Sequence, residues 1–201
     1  FYTYFTNKII GDFEEDPQKI IYDNLNGYAV SQGFSANLDF TFTNGLKILA
    51  GGTFMDVYFT EKQDDGSYNK QQQWYAPRFS GTYQISYNFP KLNMSIDYSG
   101  RIYGPMRLPV VENDFRPEYS PWFDLANIQL TKKLKHNIEI YGGVKNIWNF
   151  LPQNPLLRPN DPFDKRVNDP VNNPNGYTFD AQYNYAPIQG IRGFGGVRWS
   201  L

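Results

Sequence analysis

The sequence predicts an all-β chain made of the antiparallel strands of a transmembrane β-barrel. Three observations carry that expectation. Apolar and polar residues alternate with period two over most of the chain. Several alternating runs are about 12 to 16 residues long, against roughly 5–6 in soluble sheets. Short and long connections between the runs alternate strictly, as periplasmic turns and external loops do in outer-membrane barrels.

Taken in order, residues 1–9 are β-rich with mixed alternation. Phe34, Ala36, Leu38, Phe40 and Phe42 share one face, opposite Ser35, Asn37, Asp39 and Thr41. Residues 46–60 form a second β-rich run. From Phe79 to Phe89 the apolar set includes Tyr83, Ile85 and Tyr87, opposite Ser80, Thr82, Gln84, Ser86 and Asn88. Leu92, Met94, Ile96 and Tyr98 oppose Asn93, Ser95, Asp97, Ser99 and Arg101. Ala126, Ile128 and Leu130 define a further strand, and Ile138, Ile140 and Val144 another. Ile191, Val197, Trp199 and Leu201 oppose Arg192, Arg198 and Ser200 in the last. No segment sustains an i, i+3, i+4 pattern, so essentially no helix is expected.

The connections fall into two classes. Asn44-Gly45, Phe89-Pro90-Lys91 and Lys132 to His136 are short, and Asn-Gly is a strong hairpin signal. Ile10 to Asn26, Glu61 to Trp74, Pro105 to Ser120 and Asn149 to Tyr185 are long and polar. In a bilayer every backbone polar group must be paired, so strands can cross only in a closed barrel. Apolar side chains would then meet lipid and the polar set a wet lumen. Tyr58, Tyr87, Tyr98, Tyr103, Trp122, Trp148 and Trp199 near strand ends suit the aromatic girdles at the two interfaces.

Composition narrows the function classes. The chain has 201 residues, 18% of them aromatic, with a formal net charge of −1. That balance offers no electrostatic case for nucleic acid. With no cysteine and one histidine, the chain itself supplies no disulfide, thiolate metal site or multi-histidine centre. Neither a catalytic constellation nor a cofactor is expected. The chain starts at Phe1 without a signal-like segment, so it is expected to be a processed protein or an internal fragment.

Five segments, in order, resemble the C-terminal barrel part of TonB-dependent outer-membrane receptors, particularly those of Bacteroidetes. They are "FYTYFTNKI", "YDNLNGYAVSQGFSANLDF", "YAPRFSGTYQISYNF", "YGGVKNIWNF" (with Gly143, Val144, Asn146, Ile147, Trp148 and Asn149) and "YAPIQGIRGFGGVRWSL". "NDPFDK" and "YTFDAQYNYAP" in the last loop resemble the same subgroup. The likeness runs over the whole of residues 1–201. It implies about the last eight strands of a barrel of roughly 22, closed around a plug domain that lies outside this chain. It further implies that the parent imports a scarce nutrient: a ferric siderophore, haem or cobalamin. The implied partners are outer-membrane lipid, the plug, the TonB complex through an N-terminal region not in this chain, and the small-molecule nutrient. A surface lipoprotein partner is left open.

Candidate sites follow. Asp97, Arg101 and Tyr103 share one polar strand face and should face lumen or plug, as an ion pair with hydrogen bonds or as solute contacts. By the resemblance, the 149–186 loop holds the ligand contacts, with Arg158, Asp161, Asp164 and Arg166 as candidates, and ends in a Tyr-rich return strand. Val197, Trp199 and Leu201 resemble the assembly signal of outer-membrane proteins, with Leu201 in place of the usual terminal aromatic. His136, beside Lys132, Lys133 and Lys135, reads as a solvated basic turn. The segments Asp23 to Gly27 and Asn168 to Gly176 faintly resemble calcium loops but lack the terminal bidentate acid. Gly190, Gly193, Gly195 and Gly196 precede no helix, so they suit a close-packed last strand. Asn93-Met94-Ser95 is a glycosylation sequon by letter, placed inside a strand. Two other readings stay open: a complete eight-stranded outer-membrane barrel with an adhesive, structural or lipid-enzyme role, and a soluble β-domain binding carbohydrate or peptide.

Overall fold

The computed structural model describes residues 1–12, 21–111 and 113–200. Its strands are β1 (Tyr2–Phe5), β2 (Ile9–Asp12), β3 (Ile21–Asn24), β4 (Gly27–Thr41), β5 (Leu46–Lys62), β6 (Tyr68–Gln72), β7 (Phe79–Phe89), β8 (Met94–Tyr103), β9 (Phe123–Lys133), β10 (Ile138–Lys145) and β11 (Arg192–Trp199). One antiparallel sheet runs β1-β4-β5-β7-β8-β9-β10-β11, with β6 paired to the far end of β5 and β2-β3 standing apart as a hairpin. Among the described residues the fold is all-β with a single short 3-10 turn at Pro90–Leu92. Among the described residues no helix is long and apolar enough to cross a membrane, which says nothing of strands.

The register carries the period-two pattern across the whole sheet. Phe40, Ile48, Ile85, Tyr98, Ile128 and Val144 pair in one continuous row. One residue along, Asp39, Leu49, Gln84, Ser99, Asn127 and Lys145 form the next row on the other face. Side chains alternate faces along every strand, so a sequence alternating in phase makes one apolar and one polar surface.

The apolar surface is bare. Phe34, Leu38, Phe54, Val197 and Trp199 are between 51% and 67% exposed. Phe34, Phe54, Phe79 and Trp122 form a ladder of rings, with centroids 5.3, 4.7 and 5.6 Å apart, towards the long-loop end. A water-soluble monomer rarely leaves so extended an apolar face open.

The buried cores lie elsewhere. Met106, Leu108, Phe123, Tyr183 and Ala186 cluster at the long-loop end, with Tyr103, Phe150 and Tyr185 packed against them. Tyr103 and Phe123 belong to the polar set of β8 and β9, so the loops fold over that face. Leu25, Ala29 and Phe59, with Ile10, make a smaller cluster.

Several expectations are corrected. Tyr103 is not a girdle residue, because it lies on the loop-covered face and stacks on Phe123 at 5.0 Å. The long links 10–26 and 61–74 are not irregular throughout, since β2-β3 and β6 lie in them; β5 is long enough to carry β6 beyond the main sheet. No Tyr-rich return strand forms. Residues 177–185 are irregular, held by the single bridge Leu157–Asp180 and by side-chain bonds. Asn93 caps the 3-10 turn with a positive φ of 48° and is not inside a strand. β1 and β11 end the strand order and do not pair with each other. The eight strands therefore do not close into a small barrel of their own.

Candidate functional site

The loops after β8 and β10 build one cap over the polar face. Their junction is Arg116. Its guanidinium donates to both carboxylate oxygens of Asp114 and, at 2.5 Å, to Asp180 in the second loop. All three side chains are essentially inaccessible. The guanidinium also stacks 4.2 Å from the ring of Tyr183. The Tyr183 hydroxyl donates to the Pro117 carbonyl, and the Tyr177 hydroxyl to that of Asn113. Burial, then the neighbouring Tyr185, push the Tyr183 hydroxyl up to about 12. Burial likewise raises Tyr75, beside Asp180 and Arg116. The Tyr75 hydroxyl and one Arg116 nitrogen are buried without a hydrogen-bond partner.

Above this junction lies a cavity of about 390 Å³, walled by Phe115, Arg116, Tyr119, Phe150, Tyr183 and Tyr185. Flat aromatic faces suit a planar solute; the Arg116 charge is taken up by Asp114 and Asp180. Asn146 holds the base of the second loop. With φ at 51° it turns the chain out of β10, and its amide bonds Phe150 N–H and C=O and the Gln189 carbonyl.

The four ligand candidates of the long loop are brought together, chiefly by one another. Arg158 donates to Asp161 at 2.5 Å and lies 4.0 Å from Asp164. Asp161 accepts the backbone N–H of Arg166 and Lys165, and the Arg166 contact is the main reason its carboxyl sits below the ordinary range. Asp164 accepts the N–H of Phe179. Arg158, Asp161 and Arg166 line a second hollow of about 400 Å³ with Asp169 and Asn172. Asp169 serves turn geometry, accepting the N–H groups of Val171 and Asn172.

On the sheet, Asp97, Arg101 and Tyr103 do share the polar face. They do not form a network: Asp97 accepts the Ser86 hydroxyl at 2.5 Å across the strands. No ion pair joins Asp97 to Arg101 among the described residues, and Arg101 is exposed. Further along this face a groove of about 430 Å³ opens over Gly51 between Asn37, Asp39, Thr82 and Gln84. Val197 and Trp199 lie on the apolar face opposite Ile140 and Ile138; Leu201 is outside the described residues. His136 and Asn137 both have positive φ and form the tip of the β9–β10 turn.

Sequence reasoning missed two arrangements. The Arg116 junction had no periodic signal, since its members lie far apart in irregular chain. The other is a polar cluster on the apolar face. The Tyr83 hydroxyl donates to Asp124 at 2.7 Å and sits 3.3 Å from that of Tyr98, and the Trp148 indole donates to Asp124 at 3.0 Å. Parity with Ala126, Ile128 and Leu130 would have flagged Asp124 as the acid of that row.

No family model matches the chain, and neither does any curated protein sequence. Solved structures do match. The chain is similar to the closed form of the ferric-catecholate import receptor Fiu of Escherichia coli K12, with a TM-score of 0.62 at 14% identity over 98% of this chain and 24% of that one. It is similar to the siderophore receptor PiuA of Acinetobacter baumannii, at 0.60 and 14% over 98% of this chain and 25% of the other. The FrpB iron transporter of Neisseria meningitidis matches at 0.58 and 12%, over 98% and 27%. The chain thus has the fold of part of these β-barrel receptors and spans about a quarter of their length.

Proposed function

We propose that residues 1–201 are the C-terminal strands of the transmembrane barrel of a TonB-dependent outer-membrane receptor. The observation that supports this most is the bare apolar face, continuous over the sheet while the polar face carries the loops. In that setting the apolar rows meet lipid, and the unpaired edges of β1 and β11 join strands outside this chain. The polar face, with Asp97, Arg101 and the groove over Gly51, looks into the lumen and towards a plug domain. The Arg116 cap and the Arg158–Asp161–Asp164–Arg166 cluster stand at the extracellular mouth, where a nutrient arrives. TonB reaches the receptor through its N-terminal region.

The function is energy-coupled import, not catalysis. The cargo is an iron complex such as a ferric siderophore, with haem and cobalamin as competing cargoes. Its support is the aromatic-walled cavity at the loops and the fold shared with proteins named for iron or siderophores.

The test is fractionation of the intact protein that contains this chain. It should sediment with the outer membrane and migrate faster on gels before boiling than after. Recovery of that protein in the soluble fraction would refute the reading. Growth of a deletion strain on single iron sources, haem or cobalamin then assigns the cargo.

A further inference from the structure

The short-turn end of the sheet carries a chemistry that transport does not use. The Phe42–Leu46 turn, the Pro90–Asn93 turn, the Leu134–Ile138 turn and the end of β11 lie side by side there. Backbone bonds join neighbours: Asn88 N–H to Gly45, Lys133 N–H to Asn93 and Ser200 N–H to Asn137. The strip holds Lys47, Lys91, Lys132, Lys133, Lys135 and Arg198 against three acids, Asp39, Asp97 and Glu139, although the whole chain is slightly acidic. Asp97 accepts the Ser86 hydroxyl. Asp39 is engaged by Lys47 at 3.6 Å, and Glu139 is shared by Lys133 and Arg198 at 3.7 and 3.1 Å. Lys91, Lys132 and Lys135 have no carboxylate partner among the described residues.

Register divides these cations between the faces. Lys132 pairs into the row Phe89, Met94, Lys132, Ile140 and Val197, on the apolar side. Lys133 falls on the opposite face, across from Glu139. The Lys132 ammonium donates to the Leu92 carbonyl, so its stem runs along apolar surface towards the turn. Two of its N–H bonds remain for an anion. Leu92 and Leu134, each about half exposed, and Trp199 flank this end of the apolar face. A cation on the lipid side, in the row where β7 and β8 end and one step short of Leu134, Ile138 and Trp199 on the same face, sits where phosphates meet acyl chains.

We infer that Lys132, with Lys91 and Lys135, binds the phosphate headgroup of an anionic phospholipid of the inner leaflet, its acyl chains lying on Met94, Ile140 and Val197. This rests on the membrane-barrel reading. The neighbouring apolar surface is what selects a lipid over free phosphate.

The test uses the intact protein in detergent, first shown to be folded by its heat-modifiable migration; failure at that step counts against the barrel, not against the lipid site. Native mass spectrometry then compares retained phosphatidylglycerol with phosphatidylcholine. Wild type should retain the anionic lipid preferentially. Lys132→Gln with Lys135→Gln should lower that retention about tenfold or more, while Lys133→Gln leaves it unchanged and Lys132→Arg preserves it. If the Lys132→Gln protein does not fold, Lys91→Gln with Lys135→Gln, both in exposed turns, should show the same loss. Equal retention of both lipids, no loss in the double variants, equal loss in Lys133→Gln, or displacement by equimolar inorganic phosphate would overturn the site.

Discussion

Arg116 and Asp180, 64 residues apart, meet at 2.5 Å with side chains 0% and 3% exposed. That contact joins the loop after β8 to the loop after β10, so the two move as one cap. Arg116→Met would leave the Asp114 and Asp180 carboxylates buried without their cation. The cost should be about 3–5 kcal/mol. Hydrogen exchange should accelerate across residues 104–122 and 146–191 while β7 to β10 stay protected. Unchanged exchange in the loops would show that the pair does not hold the cap.

Arginine placed on the two faces should behave oppositely. Leu38→Arg and Ile85→Arg fall on the exposed apolar face, where a midplane cation costs about 2–4 kcal/mol. Asn37→Arg and Gln84→Arg fall on the polar face, one residue along. The yield of heat-modifiable protein in the outer membrane should drop for the first pair only. Equal effects would contradict the assignment of the faces.

Tyr83 reaches Asp124 by crossing Gly100. A Cβ at position 100 would lie 2.3 Å from the Tyr83 hydroxyl oxygen. Gly100→Val should therefore displace the ring and strip Asp124 of its nearest donor. Tyr83→Phe removes the donor alone, at about 1.5–3 kcal/mol for a bond to a charged group. Urea midpoints of the folded protein should fall in both variants, further for Gly100→Val. A Tyr83→Phe midpoint equal to wild type would show that the bond contributes nothing.

Alkali should loosen the cap. Tyr183 rises from an ordinary 10.0 to about 12 because burial disfavours the phenolate. The folded cap thus holds a proton that the open chain releases first. Its contribution is intact below about pH 10 and is lost as pH rises through about 12. Tyrosinate absorbance should show a late-titrating group that is absent in Tyr183→Phe. Exchange in residues 146–191 should rise over the same interval.

The strands were legible because lipid and water impose opposite chemistry on alternate residues. Phe34 to Phe42 and Phe79 to Phe89 show that alternation without any knowledge of their partners. Asn44-Gly45 is legible for a related reason, since Gly45 takes a φ of 91° that few residues tolerate. β2, β3 and β6 were missed because they are four or five residues long and show no clean alternation. The ligand candidates of the long loop were found by resemblance, and their mutual bonding came as a finding of the structure.

By itself the sequence determined the fold class, the principal strands and the faces of β4, β7, β8, β9, β10 and β11, because those follow from local periodicity; the alternation in residues 1–9 and 46–60 is mixed, and their faces came from the register. Only the tertiary structure decided that Asp97 answers Ser86 rather than Arg101, that Tyr103 belongs under the loops, and that Arg116 closes on Asp180. Those contacts depend on register and on the path of irregular chain. Both are settled by pairing between distant segments, which leaves no repeating mark along the sequence.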